Sequence, residues 1–346
     1  MTTPYDAAIL IGRFQPFHNG HAALLRETLS IAGHALVVIG SAFHAPTAKN
    51  PFSWEQRAEM ITACFSEADR QRICFIPIRD YFDDARWAAA VESGVQDALR
   101  KLGQPAPRLA LAGFQKDDST YYLRLFPQWA FVELPRQGDI DATAIRRMIL
   151  GEPDAAWPRA RMLLPPAVAD WIAQWRQGIV FADMQEEYQA LEAGKAQWGT
   201  GPFITLDAVV TAAGRVLLIR RKYPPGKNLW AIPGGFLDGR ERLLQGAIRE
   251  LKEETHLAVP DAELHAALRA AAVFDHPDRS QRGRVITHAY WFGLPHPVPP
   301  AVQGGDDAAE ARWFPIESLA DMEETLAGDH AVILRDLLCT ASGLSQ

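Results

Sequence analysis

Cysteine is scarce in this chain. Only Cys64, Cys74 and Cys339 occur in 346 residues, with no CxxC pair and no even framework. That usage excludes a disulfide scaffold, fits a reducing compartment, and reads the three as small buried apolar residues. Long apolar runs are also missing. No stretch approaches the roughly 18 residues of a membrane span, and Met1–Asp6 lacks the basic region of a secretory signal, so a cytoplasmic protein without membrane attachment is expected. Positive charge is in deficit: 35 Lys and Arg stand against 42 Asp and Glu, a formal net charge of −7. A general nucleic-acid surface needs a basic patch, so no nucleic-acid partner is expected. Internal repeats and low-complexity segments are absent.

What remains is an ordinary globular composition, 48% hydrophobic and 22% charged, in a chain long enough for two cores. The first half alternates short apolar runs with helical patterns. Strands are expected at 7–11, 35–40, 74–77, 109–112 and 130–133, and helices at 20–32, 53–66, 84–102 and 142–150. That alternation predicts an α/β domain with a parallel sheet, whose ligands sit beyond the carboxyl ends of the strands. An amphipathic stretch from Pro165-Pro166 to Trp175, a polar helix at 183–193 and a break at Gly199–Pro202 mark a junction. The second half reads as α+β with a mixed sheet, its strands at 203–211, 216–220, 271–275 and 285–294. The expected domains are residues 1–180 and 201–346, joined by a linker at 181–200.

The first chemical constellation is Gly12-Arg13-Phe14-Gln15-Pro16-Phe17-His18-Asn19-Gly20-His21. It lies between a strand and a helix. A helix N-terminus offers unpaired N–H groups and a positive dipole end to an anion, and two imidazoles three residues apart add donors that can become cationic. Gly20 allows close approach of the backbone to a phosphate. Further on, Ile140-Asp141-Ala142-Thr143-Ala144-Ile145-Arg146 offers Thr143 as a helix cap and Arg146 as a phosphate partner.

These stretches resemble the His-x-Gly-His and Ile-Ser-x-Thr-x-Ile-Arg motifs of the Rossmann-like nucleotidyltransferases, with Asp141 where that family has serine. Residues 5–175 are similar to nicotinamide mononucleotide adenylyltransferases, through Gly12–Pro16, Gly40-Ser41-Ala42, Asn50-Pro51-Phe52 with Glu55 and Arg57, and Trp87 after Asp80-Tyr81. The resemblance implies adenylyl transfer from ATP to nicotinamide mononucleotide, giving NAD. It assigns His18, His21 and Arg146 to catalysis. Nucleotide binding falls to Gly12, Arg13, Phe14, Gly20, Lys116, Asp117, Thr143 and Arg146, with Trp87 stacked on the nicotinamide ring.

The second constellation runs from Gly235 through Glu241 to Arg249-Glu250-Leu251-Lys252-Glu253-Glu254. Glu250, Glu253 and Glu254 are related as i, i+3 and i+4, so they share one helix face. Grouped carboxylates repel one another unless a hard cation, Mg²⁺ or Mn²⁺, lies among them. Arg249 can pair with Glu253 across one turn. This spacing resembles the Nudix box, with His256 where that family ends the helix in glycine. Such a residue is expected to take the left-handed conformation at some cost while the metal ligands stay intact.

The resemblance spans residues 200–340. It implies a catalytic and metal-binding set of Gly235, Glu250, Glu253 and Glu254. Arg220-Arg221, the 230–236 stretch and the 274–284 stretch are similar to Nudix enzymes that hydrolyse ADP-ribose to AMP and ribose 5-phosphate. Arg221 or Phe274 is then a nucleotide contact, although a sheet-core role suits Phe274 equally. Asp306-Asp307 with Glu310 is expected in a later loop, close to the metal. Two alternatives stay open for the second half: another nucleoside diphosphate derivative as substrate, or a domain that only senses a ligand. Whether the chain forms a homo-oligomer is also left open.

Overall fold

The computed structural model describes residues 3–103, 107–114, 123–135 and 140–341. The chain divides into two compact units, Met1–Gln185 and Glu186–Gln346. Among the described residues no helix is long and apolar enough to cross a membrane.

The first unit is a five-stranded parallel sheet of β1 (Tyr5–Gly12), β2 (Ala32–Ile39), β3 (Ile73–Pro77), β4 (Leu109–Gly113) and β5 (Ala130–Glu133), in the order β3-β2-β1-β4-β5. Chain order therefore reverses direction between β1 and β4, which opens a crevice at the carboxyl ends of the central strands. The helices are α1 (Asn19–Ile31), α2 (Trp54–Thr62), α3 (Glu67–Arg70), α4 (Asp84–Lys101), α5 (Ala142–Leu150), α6 (Pro153–Met162) and α7 (Pro166–Trp175). The single helix expected over 53–66 is shorter, because Ala63 ends α2 and Ser66 caps α3 as a separate turn. Burial drives the assembly: Val91, Val95 and Leu99, four residues apart on α4, lie against Ala7, Ile9, Leu36 and Val38 of the sheet.

Helix α8 (Ile179–Trp198) occupies most of the stretch expected as a linker. The second unit then has a mixed sheet of β6 (Phe203–Ala212), β7 (Arg215–Arg221), β10 (Leu268–Phe274), β11 (Val285–Gly293) and β12 (Ala308–Pro315), in the order β10-β11-β6-β7-β12. Among the described strands of this sheet the β6–β11 pair is parallel and the others are antiparallel. Strands β6 and β7 pair only beside their hairpin. Beyond it they part to admit β8 (Trp230–Ala231), which pairs with β7, and β9 (Gly234–Phe236), which pairs with β6. Residues alternate across the sheet. Ala208, Val210 and Leu217 face α9 (Leu243–Thr255) and α10 (Asp261–Ala266), whereas Val209, Val216 and Leu218 face α11 (His330–Ala341). The loop expected to carry Glu310 is instead strand β12, so Glu310 belongs to the sheet edge while Asp306 and Asp307 stay in the preceding turn.

One buried ion pair braces this sheet. Arg279 donates to both carboxylate oxygens of Asp329, at 2.7 and 2.9 Å, and to Thr287 Oγ1 at 2.7 Å. Replacing one partner leaves a buried charge unpaired. Arg279→Met should therefore lower the stability of the second unit by about 3–5 kcal/mol. Asp329→Asn in the same chain should restore part of that loss, as read from the unfolding transition of this unit in urea.

Candidate active sites

In the first unit the loop after β2 and the helices α2 and α5 all bond to the 13–18 turn at the carboxyl end of β1. Phe14 is left-handed, with φ of 53°, and folds its ring back over Gly12. A Cβ on Gly12 would lie 2.8 Å from that ring, so the close fold-back requires glycine. Gln15 ties the turn to the 50–52 loop: its Nε2 donates to the Phe52 carbonyl at 2.7 Å, and its Oε1 accepts from the Phe52 N–H at 3.2 Å. Arg57 on α2 is wholly buried and donates to the carbonyls of Arg13 and Gly40 at 2.7 Å, Ser41 at 2.8 Å and Ser53 at 3.0 Å. Burial pulls its pKa down to about 10 against the attraction of Asp80 and Glu55.

His18 is the N-cap of α1. Its Nδ1 accepts from the His21 N–H at 3.3 Å, and His21 Nδ1 accepts from the His18 N–H at 3.4 Å. The two rings stack with centroids 3.6 Å apart. An Nδ1 that accepts carries no proton, so each neutral ring holds its proton on Nε2. Desolvation first, then the nearby His18, holds the His21 pKa well below the ordinary histidine range, and the Pro16 backbone opposes that shift. The resting pair is therefore not doubly charged.

Arg146 on α5 is buried, donating to the Gln15 carbonyl at 2.6 Å and to Thr143 Oγ1 at 3.2 Å. Burial, and then repulsion from Arg13, lower its pKa to about 10 against the pull of Asp141. Two guanidiniums and two imidazole N–H groups thus gather with little acid to neutralise them, an arrangement that binds phosphate.

The expected cap is displaced by two residues. Asp141 caps α5, accepting from the N–H groups of Thr143 and Ala144, while Thr143 sits inside the helix and holds Arg146. Trp87, in the first turn of α4, is partly buried against Phe126 with ring centroids 5.8 Å apart. Gly20 is the second residue of α1. Lys116 and Asp117 lie outside the described residues.

In the second unit α9 carries its carboxylates beneath β9. A Cβ on Gly235 would stand 2.5 Å from the carboxyl carbon of Glu250, so that side chain presses directly on the Gly235 backbone. Glu254 is buried and accepts the Gly234 N–H at 2.8 Å. Burial pushes its carboxyl up to about 8, Glu250 and Asp307 adding repulsion against the attraction of the Gly234 N–H and Arg221. The Glu250 carboxyl is also raised, by burial first.

Arg249 gathers the remaining acids, donating to Glu241 at 2.7 and 3.0 Å, Glu250 at 2.9 Å and Glu253 at 2.8 Å. Among the described residues no three acidic, histidine or cysteine side chains close around one point. The donor set nonetheless suits a hard divalent cation: it is all oxygen, and burial with mutual repulsion raises the Glu250 and Glu254 carboxyls above the ordinary range, a cost that a cation between them would remove. His256 ends α9 in the left-handed region, with φ of 46°, where the Nudix pattern has glycine.

Arg221 is anchored by the Pro225 carbonyl at 2.9 Å. Phe274 packs into the core beside α11. The sequence left Arg282 and Asp207 unassigned. Arg282 is lowered to about 10 by burial and Arg221, and is attracted by Glu187, Asp207 and Asp307. A buried acid within an apolar strand was the only available signal for Asp207.

A NUDIX domain model matches residues 202–337, and a cytidylyltransferase-like model matches residues 9–147. The nicotinamide/nicotinic acid mononucleotide adenylyltransferase of Acinetobacter baylyi is 30% identical over 193 residues, covering 55% of this chain and 96% of its own. The ADP-ribose pyrophosphatase of Methanocaldococcus jannaschii is 32% identical over 142 residues, covering 41% of this chain and 76% of its own. A bifunctional NMN adenylyltransferase/ADP ribose pyrophosphatase from Francisella tularensis, solved with AMP and a Mn ion, is 32% identical with a TM-score of 0.88, over 96% of this chain and 98% of that one.

Fold and sites together define a two-part nucleotide enzyme, a Rossmann-like nucleotidyltransferase joined to a Nudix hydrolase. Within that class, the chain belongs to the family of bifunctional NMN adenylyltransferase/ADP ribose pyrophosphatases.

A ligand that binds only the folded state stabilises it by mass action, about 2.7 kcal/mol at a hundredfold excess over Kd. Adding Mn²⁺ or Mg²⁺ should raise the melting temperature of the second unit. In Glu254→Gln that shift should shrink, as followed by calorimetry with and without chelator.

Proposed function

We propose that the first unit transfers the adenylyl group of ATP to nicotinamide mononucleotide, giving NAD and pyrophosphate, and that the second hydrolyses ADP-ribose to AMP and ribose 5-phosphate. The domains for these activities are residues 1–180 and 201–346. What carries the first reading is the cluster of Arg13, Arg146, His18 and His21 at the carboxyl ends of parallel strands, rich in donors and poor in acids. The 5′-phosphate of the mononucleotide is already anionic, so no base is required. Its oxygen attacks the α-phosphorus in line, the bond to the β-phosphate oxygen breaks, and pyrophosphate leaves with the electron pair. Catalysis then consists of positioning and charge stabilisation. Arg146, fixed by Gln15 and Thr143, presents its guanidinium to the phosphates. The histidines offer Nε2–H and gain protons as negative charge accumulates. Gly12, Phe14 and Gly20 shape the backbone cradle, and Trp87 stacks on the pyridinium ring.

The second reading rests on the all-oxygen donor set under mutual repulsion. Glu250, Glu253 and Glu254, with the main chain of Gly235, would hold Mg²⁺ or Mn²⁺. Such an ion supplies Lewis-acid charge to a diphosphate and lowers the pKa of a bound water. Arg249 orients Glu250 and Glu253, and Arg221 meets the substrate phosphates. Water adds across one P–O bond of the pyrophosphate, so the two products account for all the atoms. The test is to assay the full chain with ATP and nicotinamide or nicotinic acid mononucleotide, and separately with a panel of nucleoside diphosphate derivatives. Failure to form a dinucleotide, or to cleave ADP-ribose in preference to the panel, overturns the corresponding half.

Two variants refine the first site. Asparagine is as good an N-cap as any residue, so His18→Asn should keep the melting temperature of the first unit while lowering kcat for NAD formation by about 10²-fold or more, with ADP-ribose hydrolysis unchanged. Trp87→Ala should raise KM for the mononucleotide more than KM for ATP in steady-state kinetics.

A further inference from the structure

Asp207 stands in the middle of β6, is 6% exposed, and has no hydrogen bond to its carboxylate among the described residues. Its oxygens are not fully enclosed, so a polar group of a ligand can reach them, and a carboxyl in such a place gains from a hydrogen-bond partner. Three guanidiniums lie within electrostatic reach, those of Arg279, Arg221 and Arg282, with Asp329 opposing them. None completes it. Arg279 spends its donors on Asp329 and Thr287, and Arg221 Nε on the Pro225 carbonyl. The Arg282 guanidinium likewise has no hydrogen-bond partner among the described residues. It lies over the Phe236 ring, 5.8 Å from its centroid. Phe236 is itself 46% exposed.

The position of this pair says what it faces. A Cβ on Gly234 would fall 2.6 Å from Asp207 Oδ1, and the Gly234 N–H is bound by Glu254. One glycine thus separates Asp207 from the carboxylates of the Nudix box. Arg282 is attracted by both Asp207 and Asp307, and Asp307 also acts on Glu254.

A carboxyl group opposite Gly234 and a guanidinium over Phe236, both desolvated at the strand that adjoins the hydrolytic centre, complement a ligand with hydroxyl groups next to an anion. We infer that Asp207 and Arg282 form a subsite for a ribosyl phosphate, with Asp207 accepting from the ribose hydroxyls and Arg282 donating to the attached phosphate. Carboxylates hold ribose hydroxyls in this way in dinucleotide-binding folds. This inference rests on the ADP-ribose reading and extends it to the residues that select the sugar.

The substrate has two riboses, and deoxy analogues tell them apart. Hydrolysis by the full chain and by Asp207→Asn is measured with ADP-ribose and with two analogues, each lacking the 2-hydroxyl of one ribose. Loss of a hydrogen bond to a charged group is expected to raise KM for ADP-ribose about tenfold in Asp207→Asn, with kcat within about twofold. One analogue should carry the same penalty on the wild-type chain and none further on the variant, which names the ribose. Equal KM values for all three substrates on the wild-type chain overturn the subsite, as does a variant that loses kcat at unchanged KM. If Asp207→Asn melts early, the analogue comparison on the wild-type chain decides alone. A wild-type chain that does not cleave ADP-ribose overturns the underlying reading as well, whereas cleavage unaffected by Asp207→Asn overturns only the subsite.

Discussion

The polar architecture of the first unit hangs on one guanidinium. Arg57 binds four main-chain carbonyls, those of Arg13, Gly40, Ser41 and Ser53, and among the described residues no carboxylate bonds to it directly. Carbonyls are weaker partners than carboxylates, but they carry no net charge, so the loops are fixed without cancelling the positive field the site needs. Asp80 and Glu55 supply only distant compensation. The second unit uses the same side chain differently. Arg249 is surrounded by Glu241, Glu250 and Glu253, and Arg279 is locked to Asp329, so here the cations restrain an excess of acid.

That contrast follows the chemistry of each half. Phosphoryl groups arriving at the first site meet unneutralised donors. In the second, grouped carboxylates are held ready by Arg249 without being buried by it. Glu254 stays apart from that arginine, desolvated and set against the Gly234 N–H.

Much of this was legible in the chain. The five strands of the first sheet were readable because each is a short apolar run between helical patterns, and parallel strands buried on both faces look that way. The histidine loop and the acidic helix were readable because local spacing alone puts their side chains together. Strands β8 and β9 were not, since two or three residues carry no periodicity, and β12 was hidden by its half-exposed, irregular pattern. The cap of α5 was misplaced on Thr143 because Asp141 and Thr143 are both good caps, and only the backbone decides between them. Asp207 and Arg282 were missed for a different reason. Their meaning comes from a meeting of β6 with the turn before β11, 75 residues apart in the chain, and no local pattern announces it.

The paired histidines have a consequence of another kind. Their Nδ1 atoms are committed to holding the start of α1, their rings touch face to face, and His21 resists protonation. The standing positive charge of this pocket is therefore carried by the guanidiniums of Arg13 and Arg146 and not by the imidazoles. The start of α1 is thereby spared the repulsion of two stacked cations, which would work against the positive end of the helix dipole.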